Sequence, residues 1–389
     1  MRALVCGAGI AGLTLAWHLE RAGWDVELVE RAAAFRDGGY MIDFYGPGAE
    51  VAARMGLGQR LRELRHEVNE IGYVDRDGRT TSRLALPPGM YEITSLLRGD
   101  LARAVAGQVR SPVRYGVTVD GVEQDSGGVR VLLSDGTRRD ADLLVGADGV
   151  HSRVRELVFG PGERFLRHLG HHVAAYLLDD EELHRRVGVR YRMLTVPGRM
   201  AGAYAVHGGR LAMMFLYREA DPAAPADPAA VLRERYAGLG WILPEVLPRC
   251  PDPPELYHDQ VSQVEMDEWS RGRVVLLGDA CQAVSLFAGH GASMAMAGAR
   301  VLAEELGASG GVPAAAERYA ARMRGPVERV QRFGRRFVKW MAPPSRARIV
   351  ARDAVLRLAA LPGAGRLLVG WLGPGADDLF RASPRRPEA

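Results

Sequence analysis

"MRALVCGAGIAGLTLAWHLERAGWDVELVERA", residues 1–32, decides the fold. Residues 3–6 form a short apolar run of the kind that is buried in a parallel sheet. Gly7, Gly9 and Gly12 follow as GxGxxG, and residues 13–22 carry a helical pattern with Leu15 and Leu19 on one face. Gly23 closes the helix, residues 26–29 form a second apolar strand, and Glu30 stands at its end. Each glycine has a mechanical reason. The first permits the tight turn, the second lets a pyrophosphate reach the backbone, and the third lets helix and strand pack closely. Free N–H groups and the helix dipole favour negative charge at that point. Glu30 lies 18 residues after Gly12, placed to hold a ribose hydroxyl pair. A glycine turn without a ligand is the plainer reading, and the two flanking strands with their terminal acid tell against it. The motif predicts a dinucleotide site and leaves open which dinucleotide.

Working outward, 389 residues are enough for two or three domains or one elaborate α/β unit, and 47% hydrophobic residues supply a sizeable core. Lys and Arg number 51 against 47 Asp and Glu, a net charge of +4 that is no footprint for nucleic acid. Basic runs such as "RRFVK" (335–339) and "SPRRPE" (383–388) read as a solvated helix face and a tail. Cys6, Cys250 and Cys281 are far apart and make no metal-ligand spacing, so we expect reduced thiols, no metal and a cytoplasmic protein. The motif begins at Arg2, which leaves no room for a signal peptide. No run of about 18 uncharged apolar residues predicts an integral membrane segment.

The middle of the chain changes character. "RDGGYMIDFYGPG" (36–48) sets glycine pairs around a short strand-like run, suited to close approach of a flat ring or to an ordinary turn. "ITSLLRGDLARAV" (93–105) enters a helix with Asp100 in its first turn, and Arg98 before it reads on its own as a surface residue. Residues 113–160 read as a β-meander leading to a buried strand and a helix, with Asp148 where the strand ends. Ligands collect at that carboxyl edge. Residues 171–178, 187–194, 199–206 and 210–218 predict successive antiparallel strands, with Met213 and Phe215 on one face as a possible floor for an apolar pocket or as plain core. Residues 313–389 predict Arg-rich helices. Late in the chain, "LLGDACQAVSLFAGHGASMAMAGARVLAEEL" (276–306) runs from an apolar strand through Asp279 and a glycine loop into a small-residue helix.

Three stretches, "GAGIAG…VELVER", "DLLVGADGVHSRVR" and "RVVLLGDACQAVSLFAGHGASMAMAGARVLAEEL", in that order and spacing, resemble the group A flavin monooxygenases. This is the single-component, p-hydroxybenzoate-hydroxylase-like family, whose relatives include tetracycline-inactivating flavin monooxygenases. The similarity covers roughly residues 1–340, and "GGYMIDFYGPG" resembles a bacterial subgroup of secondary-metabolite tailoring enzymes. The resemblance implies an α/β fold: a Rossmann-like FAD-binding domain (1–71, 93–168 and 260–340), an inserted antiparallel substrate domain (72–92 and 169–259), and a C-terminal helical segment (341–389).

It also implies roles. Gly7, Gly9, Ala11, Gly12 and Glu30 would hold the ADP half of FAD, with Arg31 beside the ribose and Val119 at the adenine. Arg98 gains a context against the FAD phosphates and ribityl chain. Asp148 would serve FAD and a transient NADPH or NADH. Asp279 would bind the ribityl hydroxyls, and Gly289, Gly291 and Ala292 would turn backbone N–H groups to the flavin's electron-rich edge, where a helix N-terminus stabilises negative charge. Tyr45, Met213, Phe215 and Phe287 are the candidate substrate pocket, and His290 is the candidate acid or base unless only its backbone matters. The implied reaction uses NAD(P)H and O2 to oxygenate an apolar aromatic or polycyclic small molecule, in a monomer or homodimer.

The chain departs from the family pattern "GDAAHxxPPxxGQGxN" at Gln282, Ser285, Leu286, His290 and Ser293. The departures touch the oxygen chemistry more than the FAD site, so a non-oxygenating FAD oxidoreductase and a flavin-fold scaffold without net redox stay open as alternatives.

Overall fold

A computed structural model describes residues 1–35, 40–85 and 94–359. The glycine pair Gly38-Gly39 and the C-terminal segment from 360 lie outside the described residues, as do most of the apolar stretch 359–373 and the basic tail.

The first sheet is built around the N-terminal strand Arg2–Cys6. It pairs in parallel with Asp25–Glu30 on one side and Leu143–Gly146 on the other. Val113–Tyr115 and Val274–Leu276 extend the parallel array, and Ser270–Arg271 closes one edge antiparallel. The central strands are buried on both faces, which explains their unbroken Val and Leu runs. The helix Ile10–Arg21 begins three residues earlier than its apolar period predicts, since Gly9 already acts as its N-cap. It packs against the long helix Gly291–Leu306, so the two glycine-loop helices of the sequence motifs lie side by side.

The second sheet has seven strands in the order Tyr257–Val264, Leu166–Asp179, Arg210–Arg218, Arg199–Val206, Arg190–Val196, Glu70–Val74 and Thr80–Ala85. Strands Glu70–Val74 and Tyr257–Val264, which straddle the expected boundaries at 71 and 260, both belong to it. A helix, Glu181–Val187, intervenes where sequence alone predicts only a turn; Asp180 caps it by accepting from the Leu183 N–H. Helices Gly311–Met341 and Arg346–Ala359 run from the first sheet onto the second.

The two faces of the second sheet correct one expectation. Met213 and Phe215 are fully buried in a core with Tyr176, Leu232 and Tyr236, beneath the helix Pro228–Tyr236. They are not a pocket floor. Strand alternation instead turns Met214 to the other face, towards the first domain. Among the described residues no helix is long and apolar enough to cross a membrane, and no cluster of His, Cys, Asp or Glu could hold a metal ion.

Candidate functional site

A cavity of about 510 Å3 lies between the two sheets. One end is walled by Gly9, Ile10, Ala11, Arg98 and Asp279, the middle by Gly289–Ala292, and the other end by aromatic and apolar side chains of the second sheet and the C-terminal helices.

The glycine loop is fixed by steric need. A Cβ on Gly7 would stand 2.3 Å from the Ala147 carbonyl oxygen, and Gly7 has φ of +109°. A Cβ on Gly12 would stand 2.0 Å from the Gly7 carbonyl oxygen. Gly9 differs: a Cβ there would meet nothing within 4 Å, so it faces open cavity and not protein. Glu30 ties the loop together, its Oε2 accepting from the Ala8 N–H at 3.0 Å and its Oε1 from the Ala32 N–H at 2.9 Å. Arg31 is exposed beside it. Val119 is fully buried in the first core and does not line the cavity.

Asp279 opens the short helix Asp279–Gln282 directly after the strand Val274–Leu276. Its side chain is exposed to the cavity, and among the described residues no hydrogen bond reaches it. Burial raises its pKa; the charge of Arg98 pulls it back and Asp259 pushes it further up. A cavity-facing carboxylate with an empty acceptor set is a natural holder of hydroxyl donors.

The helix Gly291–Leu306 starts at the cavity wall, and among the described residues the N–H groups of Gly291 and Ala292 have no backbone acceptor. The N–H of Gly289 is already given to the Leu286 carbonyl at 3.2 Å, so the exposed donors are the two that follow it. His290 is only 5% exposed, so its side chain is held inside the protein and does not face solvent. Its Nε2 lies 2.8 Å from the Tyr45 hydroxyl, and its Nδ1 meets the Ala288 carbonyl. Burial lowers its pKa.

Asp148 turns away from the cavity. Its Oδ1 accepts from Ser152 Oγ at 2.5 Å, and its Oδ2 from the N–H of Arg153 at 2.7 Å and of Val154 at 3.1 Å. It therefore holds the helix start Arg153–Phe159, while Ala147, Gly149 and Val150 line the wall. Sequence reasoning missed Arg155, which is 1% exposed and joins two cavity loops: its Nη1 donates to the Ala280 carbonyl and its Nη2 to that of Val150, both at 2.8 Å. It also missed Asp43, Asp259, Tyr191, Tyr204 and Met214 in the wall. The signal for Asp43 was an acid inside the apolar run "YMIDFY". Tyr45 and Phe287 do line the cavity, as expected.

The departures from the family pattern divide by position. Gln282 is buried away from the cavity, its amide donating to the Tyr319 hydroxyl at 2.5 Å. Ser285, with φ of +75°, and Leu286 stand in the wall itself.

These observations meet the needs of a dinucleotide whose ring system lies in the cavity: an open glycine at the loop, an unpartnered carboxylate, an arginine and free helix donors. The sequence profile of the FAD binding domain family matches residues 1–318. A protein of Mycobacterium tuberculosis with no assigned function is 36% identical over 342 residues, covering 84% of this chain and 91% of that protein. A flavin-dependent monooxygenase of Legionella longbeachae is 28% identical over 343 residues, covering 86% of this chain and 88% of its own. Among solved structures, the tetracycline destructase Tet(55) superposes with a TM-score of 0.79 at 28% identity, covering 91% of this chain and 94% of that one.

Proposed function

The chain belongs to the FAD-binding family of flavin-dependent monooxygenases, and from that premise we propose that it oxygenates an apolar, polycyclic or aromatic small molecule with electrons from NADPH or NADH. The observation that carries the proposal is the continuity of one cavity, from the glycine loop and Asp279 to a wall of aromatic side chains. When bound, FAD supplies the redox and oxygen chemistry. The chain's own residues supply placement. Gly9 admits the pyrophosphate, Arg98 offsets its charge, and Asp279 accepts from the ribityl hydroxyls. Glu30, Arg31, Val119 and Asp148 serve the same site from outside the cavity wall, through the loops they carry.

Gly291 and Ala292 would offer N–H donors to the flavin ring, where a helix N-terminus would stabilise negative charge. Tyr73, Tyr191, Phe287, Phe337 and Trp340 enclose the remaining space, excluding water and offering flat faces to a flat substrate. A tailoring role in bacterial secondary metabolism, or the modification of a drug, agrees with this wall. So does residence in the cytoplasm, given three buried free thiols. A substrate domain near 72–92 and 169–259, its edges moved so that the strands Glu70–Val74 and Tyr257–Val264 fall whole within it, and a monomer or homodimer complete the proposal.

The test is isotopic. Purified yellow protein is supplied with NAD(P)H, 18O2 and a panel of polycyclic aromatics, and product is analysed by mass. Product carrying one atom of 18O supports the proposal. NAD(P)H consumed with product that never carries 18O overturns oxygenation.

A further inference from the structure

The aromatic end of the cavity contains one group out of keeping with its surroundings. Asp43 sits in the short strand Met41–Phe44, directly opposite Ser95 on the partner strand Thr94–Leu97. Its Oδ1 accepts the Ser95 hydroxyl at 2.7 Å. Among the described residues no other hydrogen bond and no ion pair reaches the carboxylate, although it opens onto the cavity. Its neighbours in the wall are the rings of Tyr191 and Tyr204, which meet edge to face at 5.4 Å, and both rings feel its charge. The strand is pinned there by the Met41 N–H, which donates to the Tyr204 hydroxyl at 2.5 Å.

Among the described lining residues no cation pairs with this acid. Arg98 is the one basic side chain among the described lining residues, and His290 is held neutral by burial. Arg98 acts on Asp279, Tyr40 and Tyr257. Among the described lining residues three carboxylates, Asp43, Asp259 and Asp279, stand against one arginine. The tyrosines stay neutral phenols, because burial pushes their pKa values up. Burial also raises the Asp43 carboxyl above its ordinary range, with Ser95 pulling the other way.

Asp43 is exposed to the cavity space, so water reaches its carboxylate until a ligand fills the chamber; a ligand that displaces that water leaves the charge unmatched unless it brings a partner. A protonated amine does two things at once: it pairs with the carboxylate and rests against the negative faces of the tyrosine rings. A neutral body without a donor leaves the carboxylate unmatched, and an anion is repelled. We propose that Asp43 is a specificity-determining residue, and that the substrate is a flat apolar body bearing a basic amine, seated between Asp43 and the rings of Tyr191 and Tyr204. This rests on reading the cavity as the substrate chamber of an FAD monooxygenase.

The experiment uses the FAD-loaded protein and three probes of one shape: 1-naphthylmethylamine, 1-naphthylmethanol and 1-naphthoate. Binding is read by flavin fluorescence and by calorimetry. We expect the ammonium probe to bind about tenfold tighter than the alcohol, with the naphthoate weakest. Asp43→Asn should bring the ammonium probe to within about twofold of the alcohol, whereas Asp43→Glu keeps part of the preference. In the native protein the preference should fade as pH drops through the raised carboxyl pKa, a readout available even where the Asn variant fails to fold. An alcohol or naphthoate that binds as well as the amine overturns the inference, as does a preference that survives in Asp43→Asn, or binding of none of the three at millimolar concentration. The family reading fails separately: a protein that takes up no FAD sinks it before any probe is added.

Discussion

The hydroxyl of Tyr45 lies 2.8 Å from Nε2 of His290, and the same imidazole meets the Ala288 carbonyl through Nδ1. The carbonyl accepts, so Nδ1 carries the proton and Nε2 receives the tyrosine's. Burial lowers the pKa of this imidazole, which keeps it neutral at physiological pH. It therefore seats Tyr45 in the cavity wall and does not titrate during turnover. His290→Gln should retain FAD, since the proposed flavin contacts here are backbone N–H groups, and its pH–rate profile should superimpose on that of the native enzyme near pH 6.5. Loss of a limb in that region would show that the ring itself exchanges protons. Tyr45→Phe, which leaves Nε2 without its donor, should cost about 1–3 kcal/mol of stability by denaturant unfolding.

The glycine loop separates folding from binding at neighbouring positions. Gly12→Ala forces a Cβ to 2.0 Å from the Gly7 carbonyl oxygen and should cost more than about 3 kcal/mol, read as lost expression or a large fall in Tm. Gly9 has φ of −80°, which any residue adopts, and its Cβ position is open. Gly9→Ala should keep the Tm of the apoprotein while weakening FAD binding roughly tenfold or more, because the methyl group occupies the approach to the backbone N–H groups. Equal damage from both changes would contradict this assignment.

Asp279→Asn should divide stability from function in the opposite direction. In the apoprotein its carboxylate opens onto the cavity, lacks hydrogen bonds among the described residues, and feels Arg98 and Asp259 in opposite senses, so the amide should leave the apoprotein Tm nearly unchanged. Fluorescence titration should show FAD affinity reduced about 10- to 100-fold, the loss of charge-assisted hydrogen bonds to the ribityl chain. A variant that binds FAD normally would remove Asp279 from the site.

The parts of this fold that repeat with a strict period, or that need glycine, were legible in the sequence. The strand expected at 3–6, the loop at 7–12 and the acid at 30 each follow from local rules; the structure has the strand at Arg2–Cys6, one residue longer, with the loop and Glu30 in their expected places. Positions set by long-range packing were not legible. Met213 and Met214 are equivalent in any local pattern; only the helix Pro228–Tyr236, arriving from later in the chain, decides which face of the strand is core. Arg155 reads as an ordinary helix residue until Ala280 and Val150 are brought to its guanidinium, across 125 residues in the first case. Asp148 looked like a ligand group because it ends a strand, and the helix after it takes its carboxylate instead.

Stability should fall as pH drops below neutrality. Burial holds the imidazoles of His18, His66 and His258 down at about 4. In the unfolded chain they return to about 6.5. Between those values the unfolded state binds more protons, so unfolding takes up protons and acid favours it. Tm should be level above about pH 7 and decline steadily towards pH 5, before the carboxylates contribute. His66 is 4% exposed and its Nε2 has no partner, so His66→Phe should flatten the decline by about one proton's worth of slope. A Tm independent of pH between 5 and 7 would mean these rings are charged in the fold.

The two faces of the strand Arg210–Arg218 offer the sharpest test of where the substrate sits. Phe215 is fully buried and stacks at 5.6 Å on Tyr176 with its edge against Tyr236, on the side away from the cavity. Phe215→Ala should cost about 3–5 kcal/mol by denaturant unfolding and leave KM near its native value in the fraction that folds. Met214 is one residue away and lines the cavity. Its flexible side chain already borders open space, so truncation enlarges the chamber without burying a new void. Met214→Ala should cost under about 2 kcal/mol yet shift KM, or the ranking of aromatic substrates, severalfold; Met214→Trp should fill the chamber and suppress turnover while FAD stays bound. If Phe215 changed substrate ranking and Met214 did not, the substrate would lie on the other side of the sheet.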